Sequence, residues 1–226
     1  MTMQEHKQNQ HALVRYYEFH SKIYDATRWS FLFGRAALLR HIATLAQPAH
    51  ILEVGCGTGS NLVQLCQFFP QAHITGIDLS GAMLARARQN LGEQAQHVHL
   101  LERTYDRPLK LAPSLDLILF SYALTMFNPG WEQAIDAAYH DLRPGGLIAV
   151  VDFHDTPSII YRHWMARNHV RMIGHLLPRL TARFQPRLAS VCPAYTGLWT
   201  YLLFIGEKTT NTDSKLDNSN IKYRTD

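Results

Sequence analysis

The sequence is poor in cysteine, in charge and in long apolar runs. Its three cysteines, Cys56, Cys66 and Cys192, are sparse and odd in number, which excludes a disulfide framework and suits a reducing cytosol. No C-x-x-C pair occurs and the thirteen histidines show no metal-ligand spacing, so no metal site is expected. No stretch reaches the ~18 apolar residues of a membrane span, and residues 1–12 lack the apolar core of a signal peptide. The reading is a cytoplasmic protein, soluble or held peripherally on the inner face of a membrane. Charged residues make up 18% of the 226 and hydrophobic ones 46%. That balance excludes wholesale disorder and suffices for the core of one domain.

Acid is missing from one long segment altogether. Residues 157–187 hold six arginines, at 162, 167, 171, 179, 183 and 187, with three histidines and no Asp or Glu. The formal net charge of the whole chain is +4, so this segment carries the basic character. Trp164, Met165 and Met172 lie among the arginines. Basic residues mixed with Trp and Met suit an interfacial helix on an anionic membrane surface. An ordinary solvated helix is the plainer alternative. A nucleic-acid face would use the same arginines, but no RNA-binding domain is appended, and no nucleic-acid partner is expected.

Both ends are polar and aperiodic. Residues 1–12 and 207–226 are expected to be disordered tails around a single domain over 13–206. Within it, 51–54, 73–77, 98–101, 115–121 and 147–153 read as strands. Helices are expected over 59–69, stopped by Pro70, over 80–91, ended by Gly92, and over 131–142. That order predicts an α/β fold with a mostly parallel sheet covered on both faces. Residues 188–206 read as a terminal antiparallel hairpin, bringing the sheet to seven strands. Residues 13–46 read as an N-terminal helical cap, and 157–187 as a basic helical insertion.

The chemistry gathers where the first strand ends. Glu53-Val54-Gly55-Cys56-Gly57-Thr58-Gly59 puts three alternate glycines in a strand-to-helix turn, where bare backbone can approach a ligand that a side chain would block. Asp78 closes the second strand, and a carboxylate there can accept hydrogen bonds from two ribose hydroxyls. A dinucleotide fingerprint, G-x-G-x-x-G, would place its third glycine at position 60, which is Ser60.

The pattern E-x-G-x-G-x-G instead resembles motif I of the class I S-adenosylmethionine-dependent methyltransferases. Asp116-Leu117-Ile118-Leu119 and Leu142-Arg143-Pro144-Gly145-Gly146-Leu147 resemble that family's fourth strand and the approach to its fifth. The resemblance covers about 50–155. It implies a Rossmann-like fold and S-adenosyl-L-methionine as cofactor. Glu53 would organise the loop, with Gly55, Gly57 and Gly59 as its cradle and Asp78 on the ribose. Leu79, Met83 and Ser121 would be further contacts. The family's third strand usually ends in an acid that bonds the adenine amine. Here that stretch is Leu101-Glu102-Arg103-Thr104-Tyr105-Asp106, and Glu102 or Thr104 takes the slot according to register.

The flanks are similar to the betaine-lipid methyltransferases, which add three methyl groups to the amine of diacylglyceryl-homoserine. The aromatic stretch over 16–35 carries this likeness. So do Phe120-Ser121-Tyr122-Ala123-Leu124-Thr125-Met126, Asn168-His169-Val170-Arg171-Met172 and the residues 194–201. With them the resemblance runs from about 13 to 206 and implies a lipid substrate with an amino-acid headgroup. A soluble small molecule such as a quinone precursor is the rival acceptor. A non-catalytic cofactor- or lipid-binding module is the rival class. Tyr24 and Arg28, four apart on one helical face, are placed over the cofactor carboxylate. Tyr122, just past the fourth strand, is expected beside the transferable methyl. His154, following the fifth, is expected on the same rim, where ligands bind in open α/β sheets. These two are the candidate catalytic residues. Arg28 and Arg171 are candidates to hold a substrate carboxylate.

Overall fold

The computed structural model of the protein describes residues 32–110 and 114–209. Residues 1–12, most of the expected cap with Tyr24 and Arg28, and residues 210–226 lie outside the described residues, whereas Glu207, expected in the tail, ends the last strand and Lys208 bonds the Gly146 carbonyl.

One helix of the cap region is described: α1, Arg35–Leu45, with Leu38, Leu39 and Ile42 buried on one face. Then β1 (His50–Val54), α2 (Ser60–Phe68), β2 (His73–Asp78), α3 (Gly81–Leu91) and β3 (Val98–Glu102) alternate, with a short 3₁₀ turn before β3. The second half holds β4 (Leu115–Ser121), α4 (Trp131–Asp141), β5 (Leu142–Phe153), α5 (Ile159–Arg167), α6 (Leu176–Arg183), β6 (Gln185–Ala194) and β7 (Trp199–Glu207). Local chemistry sets several ends. Ser80 caps α3 by accepting from the Met83 amide at 3.3 Å, and Ser158 caps α5 through the Tyr161 amide at 3.2 Å. Such caps satisfy amides that a helix leaves without internal partners.

The seven strands form one sheet in the order β3-β2-β1-β4-β5-β7-β6. The first five run parallel, and β7 is antiparallel to both its neighbours. Side chains alternate across the sheet. Leu117 and Leu119 of β4 join α1 in one core cluster; Ile118 and Phe120 join residues of α4 and α6 in the other. Burial on both faces explains the continuous apolar runs of β4 and β5. The order also carries the carboxyl ends of β1, β2, β4 and β5 to one rim.

The basic segment departs from the sequence expectation. It is not one helical insertion: α5 and α6 are separated by irregular backbone, and its last residues already belong to β6. Nor is it a free field of six positive charges. Arg162 pairs with Asp155 at 3.0 Å, Arg179 and Arg183 reach Asp136 at 2.7 and 3.5 Å, and Arg187 pairs with Glu207. Asp155 sits just outside the segment, while Asp136 and Glu207 come from twenty or more residues away from their partners, which local composition does not show.

Candidate active site

The glycine turn is held from the neighbouring strand. The amides of Gly55 and Cys56 both donate to the Ile77 carbonyl, at 2.8 and 2.9 Å. The Gly57 amide donates to Oδ2 of Asp78 at 2.8 Å, and the Ser80 amide to Oδ1 at 3.0 Å. Asp78 therefore ties the loop after β1 to the start of α3. Gly55 and Gly59 have φ of +72° and +80°. A Cβ at Gly55 would lie 2.8 Å from that of Ala123, and one at Gly59 would lie 3.0 Å from that of Ala87. A side chain at either position would therefore press on the protein itself, whatever the backbone faces on its other side. Gly57, with φ of +55°, stands at the centre of the turn.

Glu53 is buried at 2% exposure. Its Oε1 accepts from Nδ2 of Asn61 at 2.7 Å, while Oδ1 of Asn61 accepts from Nε of Arg35 at 2.8 Å. Asn61 and Arg35 were not singled out by the sequence; a helix-start asparagine carries no signal until the fold sets it over β1. Leu79 is half-buried and follows Asp78. Met83 is buried in α3. Ser121 is the last residue of β4 and is buried. In the adenine slot, β3 pairs with β2 so that Glu102 stands opposite Asp78. Glu102 also overhangs Gly81, where a Cβ would meet its Oε2 at 2.6 Å. Thr104 lies two residues beyond the strand and donates to Asp106 at 3.3 Å. The two alternatives thus separate, with the acid at the strand end.

The acceptor side lies past β4 and β5. Tyr122 has φ of +55° and donates its hydroxyl to the Phe33 carbonyl at 2.8 Å, with its ring edge-on to Phe153 at 4.7 Å. Burial raises its pKa well above the ordinary phenol value, with the charge of Asp152 next. Its oxygen is thus engaged by the segment before α1. Asp152 is fully buried and accepts from the amide and hydroxyl of Thr125 and from the Phe153 amide. Desolvation outweighs those bonds and pushes its carboxyl up to about 6. His154 leaves β5 half-buried, and burial lowers its pKa despite nearby Asp155. The backbone amide of Arg171 bonds the Thr125 carbonyl at 2.9 Å, which puts it on the same rim. Among the described residues no cluster of metal-binding side chains occurs, and no helix is long and apolar enough to cross a membrane.

A strand-end carboxylate bonded to a glycine turn and a second acid in register one strand over sit on a sheet ordered β3-β2-β1-β4-β5-β7-β6. This is the fold of the class I S-adenosylmethionine-dependent methyltransferases. Residues 51–146 match the family described as a methyltransferase domain. The chain is 38% identical over 123 residues to a trans-aconitate 2-methyltransferase of Deinococcus radiodurans, covering 53% of this chain and 45% of that one. It is 31% identical over 147 residues to a malonyl-[acyl-carrier protein] O-methyltransferase of Priestia megaterium, covering 64% and 52%. The chain thus spans about half the length of the curated relatives it matches. The N-methyltransferase NodS from Bradyrhizobium japonicum, solved with S-adenosyl-L-homocysteine, superimposes with a TM-score of 0.63. That match has 20% identity and covers 76% of this chain and 84% of that one.

Proposed function

We propose that the protein transfers a methyl group from S-adenosylmethionine to a small acceptor bound beyond the carboxyl ends of β4 and β5. The observation that carries this is Asp78, whose carboxylate fixes the Gly57 turn while standing at the β2 end. The donor set suits the cofactor. Asp78 offers further lone pairs to ribose hydroxyls, Glu102 offers an acceptor for an adenine amine, and Glu53 with Gly57 shapes the turn for the amino-acid portion. When bound, the cofactor supplies an electrophilic methyl carbon. The chain's own task is then to hold the acceptor in line and exclude water. The Tyr122–Phe33 bond closes the segment before α1 over the β4 end, which serves that exclusion. The names of the curated relatives, trans-aconitate 2-methyltransferase and malonyl-[acyl-carrier protein] O-methyltransferase, favour a small acid, free or carried on a protein, as acceptor.

A second acceptor has an observation of its own. The outward face of α5 carries Ile159, Ile160, His163, Trp164 and Arg167, with Ile160 85% and Trp164 52% exposed. Exposed Ile173 and Leu198 lie on segments bonded to the 154–156 backbone. An apolar, basic face of this kind suits a lipid surface. It supports the reading of an N-methyltransferase that converts diacylglyceryl-homoserine to its trimethyl betaine, peripherally on the inner face of the membrane.

Methyl-labelled S-adenosylmethionine, offered with a panel of soluble acids and amines and with diacylglyceryl-homoserine in vesicles, separates these readings. Label in a soluble product supports the first. Label in one, two and then three methyl groups on the lipid supports the second. A folded protein that binds the cofactor and labels nothing overturns methyl transfer.

A further inference from the structure

The loop after β4 is held by one buried side chain. Asp152, next to last in β5, is fully buried. Its Oδ2 accepts from the Thr125 amide at 3.2 Å and its Oδ1 from the Thr125 hydroxyl at 2.5 Å. Thr125 is itself fully buried. Its carbonyl accepts twice more, from the Arg171 amide at 2.9 Å and from Nδ2 of Asn128 at 2.7 Å. Every polar atom of Thr125 is therefore engaged. The loop that it anchors touches both sides of the candidate site. Toward the glycine turn, a Cβ at Gly55 would lie 2.8 Å from that of Ala123 and 3.9 Å from the Phe127 ring. Toward the acceptor side, Arg171 is exposed between Val170 and Met172, which are both buried. Three residues on, the Gly174 amide bonds the His154 carbonyl at 2.8 Å. The segment 170–174 is thus pinned to the ends of β4 and β5, through Thr125 and His154.

We propose that Asp152 is a positioning residue: through Thr125 it sets the spacing between the glycine turn and the segment 170–174, and so between methyl donor and acceptor. This rests on the methyl-transfer reading above and goes beyond it, by assigning that spacing to one carboxylate. Asp152 lies beneath the loop with both oxygens accepting from the chain itself, so it acts through Thr125 and not on the reacting atoms. Its donors are the Thr125 amide and hydroxyl and the Phe153 amide, with no cation paired to it among the described residues. Apolar side chains of the same shape could replace such a pair at little cost in stability. What the pair adds is a fixed length and direction for the loop, which packing alone does not supply. In-line transfer depends on that geometry, since a misplacement of about 1 Å lowers the rate about 100-fold.

The test compares Asp152→Asn, Thr125→Val and Thr125→Ser with wild type, on the full chain near neutral pH. Thr125→Val removes the hydroxyl at nearly constant shape, and Thr125→Ser keeps it. Asp116→Asn is the structural comparison, because Asp116 bonds the Ala49 and His50 amides at the opposite end of the sheet. Hydrogen exchange at the Arg171 amide should speed by about tenfold or more in Asp152→Asn and Thr125→Val. It should stay near wild type in Thr125→Ser and Asp116→Asn. Label transfer is followed with trans-aconitate and with diacylglyceryl-homoserine in vesicles, using whichever the wild type labels. There kcat should fall about 100-fold in Asp152→Asn and Thr125→Val and recover in Thr125→Ser. Affinity for S-adenosylhomocysteine, read by calorimetry, should stay within a few-fold of wild type. A merely structural bond would lower the urea midpoint, as in Asp116→Asn, without slowing the folded enzyme. Unchanged exchange at Arg171, or wild-type kcat in both Asp152→Asn and Thr125→Val, overturns the proposal. A wild type that binds the cofactor yet labels nothing defeats methyl transfer itself, and exchange at Arg171 still decides whether Asp152 holds the segment.

Discussion

Asn61 links Glu53 to Arg35 through the two ends of one amide, donating to the carboxylate at 2.7 Å and accepting from the guanidinium at 2.8 Å. The acid before the glycine turn is thus oriented by the helix after it, and both are tied to α1. Asn61→Ala should lower stability by about 1.5–3 kcal/mol, because a buried charged acceptor loses one of its donors. It should also weaken S-adenosylmethionine binding, since the turn loses its brace. Urea unfolding and calorimetry check the two effects. A wild-type midpoint would sink the first.

Asp78 has a double duty, and its variants should separate the two. Asp78→Ala should weaken the cofactor at least ~10-fold, since bonds to a charged acceptor contribute about 1.5–3 kcal/mol each. Sequence alone suggests that the fold would be untouched. Its bonds to the Gly57 and Ser80 amides predict a loss of stability as well. Asp78→Asn keeps one acceptor oxygen and should recover part of the stability but little of the affinity. Equal affinity in wild type and both variants, read by calorimetry, would remove Asp78 from the site.

Tyr122→Phe removes only the bond to the Phe33 carbonyl and should cost about 1 kcal/mol. Turnover should stay within a few-fold of wild type, because the hydroxyl is already engaged. Tyr122→Ala should cost about 3–5 kcal/mol through the cavity it opens. If the phenylalanine variant is as stable as wild type but inactive, the hydroxyl acts on the acceptor and the engaged-oxygen reading fails.

Asp152 titrates into the stability curve with a definite sign. Its folded pKa of about 6 lies above its ordinary 3.8, so the native state holds the proton longer than the unfolded chain. Stability relative to Asp152→Asn is therefore greatest in acid and falls as pH rises from about 4 to 6. The fall amounts to about 2–3 kcal/mol at 1.36 kcal/mol per unit. Urea unfolding of both proteins across that window measures it; a flat difference would show an ordinary carboxylate.

For a lipid acceptor, vesicle binding should depend on the α5 face more than on charge. Four of the six arginines are engaged by Asp155, Asp136 and Glu207, and Arg167 and Arg171 show no ion pair among the described residues. Ile160→Asp should abolish co-sedimentation with anionic vesicles, and Trp164 fluorescence should shift blue on binding. Raising salt should weaken binding only modestly, since two charges near the surface contribute about 1 kcal/mol each. Binding that survives Ile160→Asp but vanishes in salt would reverse that order.

The alternation of strands and helices, the turn at Gly55–Gly59 and the place of Asp78 were legible because they are local. Periodicity within ten residues fixes a helix face, and glycines mark a turn wherever it falls. The glycines' partners were not legible: Ala123 and Ala87 reach them only once β4 and α3 are packed. The arginine segment misled for the same reason, since Asp136 lies about forty residues upstream of Arg179.

Strand β7 lies between β5 and β6, although it follows both in the chain. During synthesis, then, the outer edge of β5 stays unpaired until residues 199–207 have emerged, and β6 has no neighbour to join. A nascent chain arrested before residue 199 carries an open edge over residues as apolar as Val150 and Val151. Such edges template wrong pairings between chains. The interval between making β5 and making β7 is when this edge is open to such pairings.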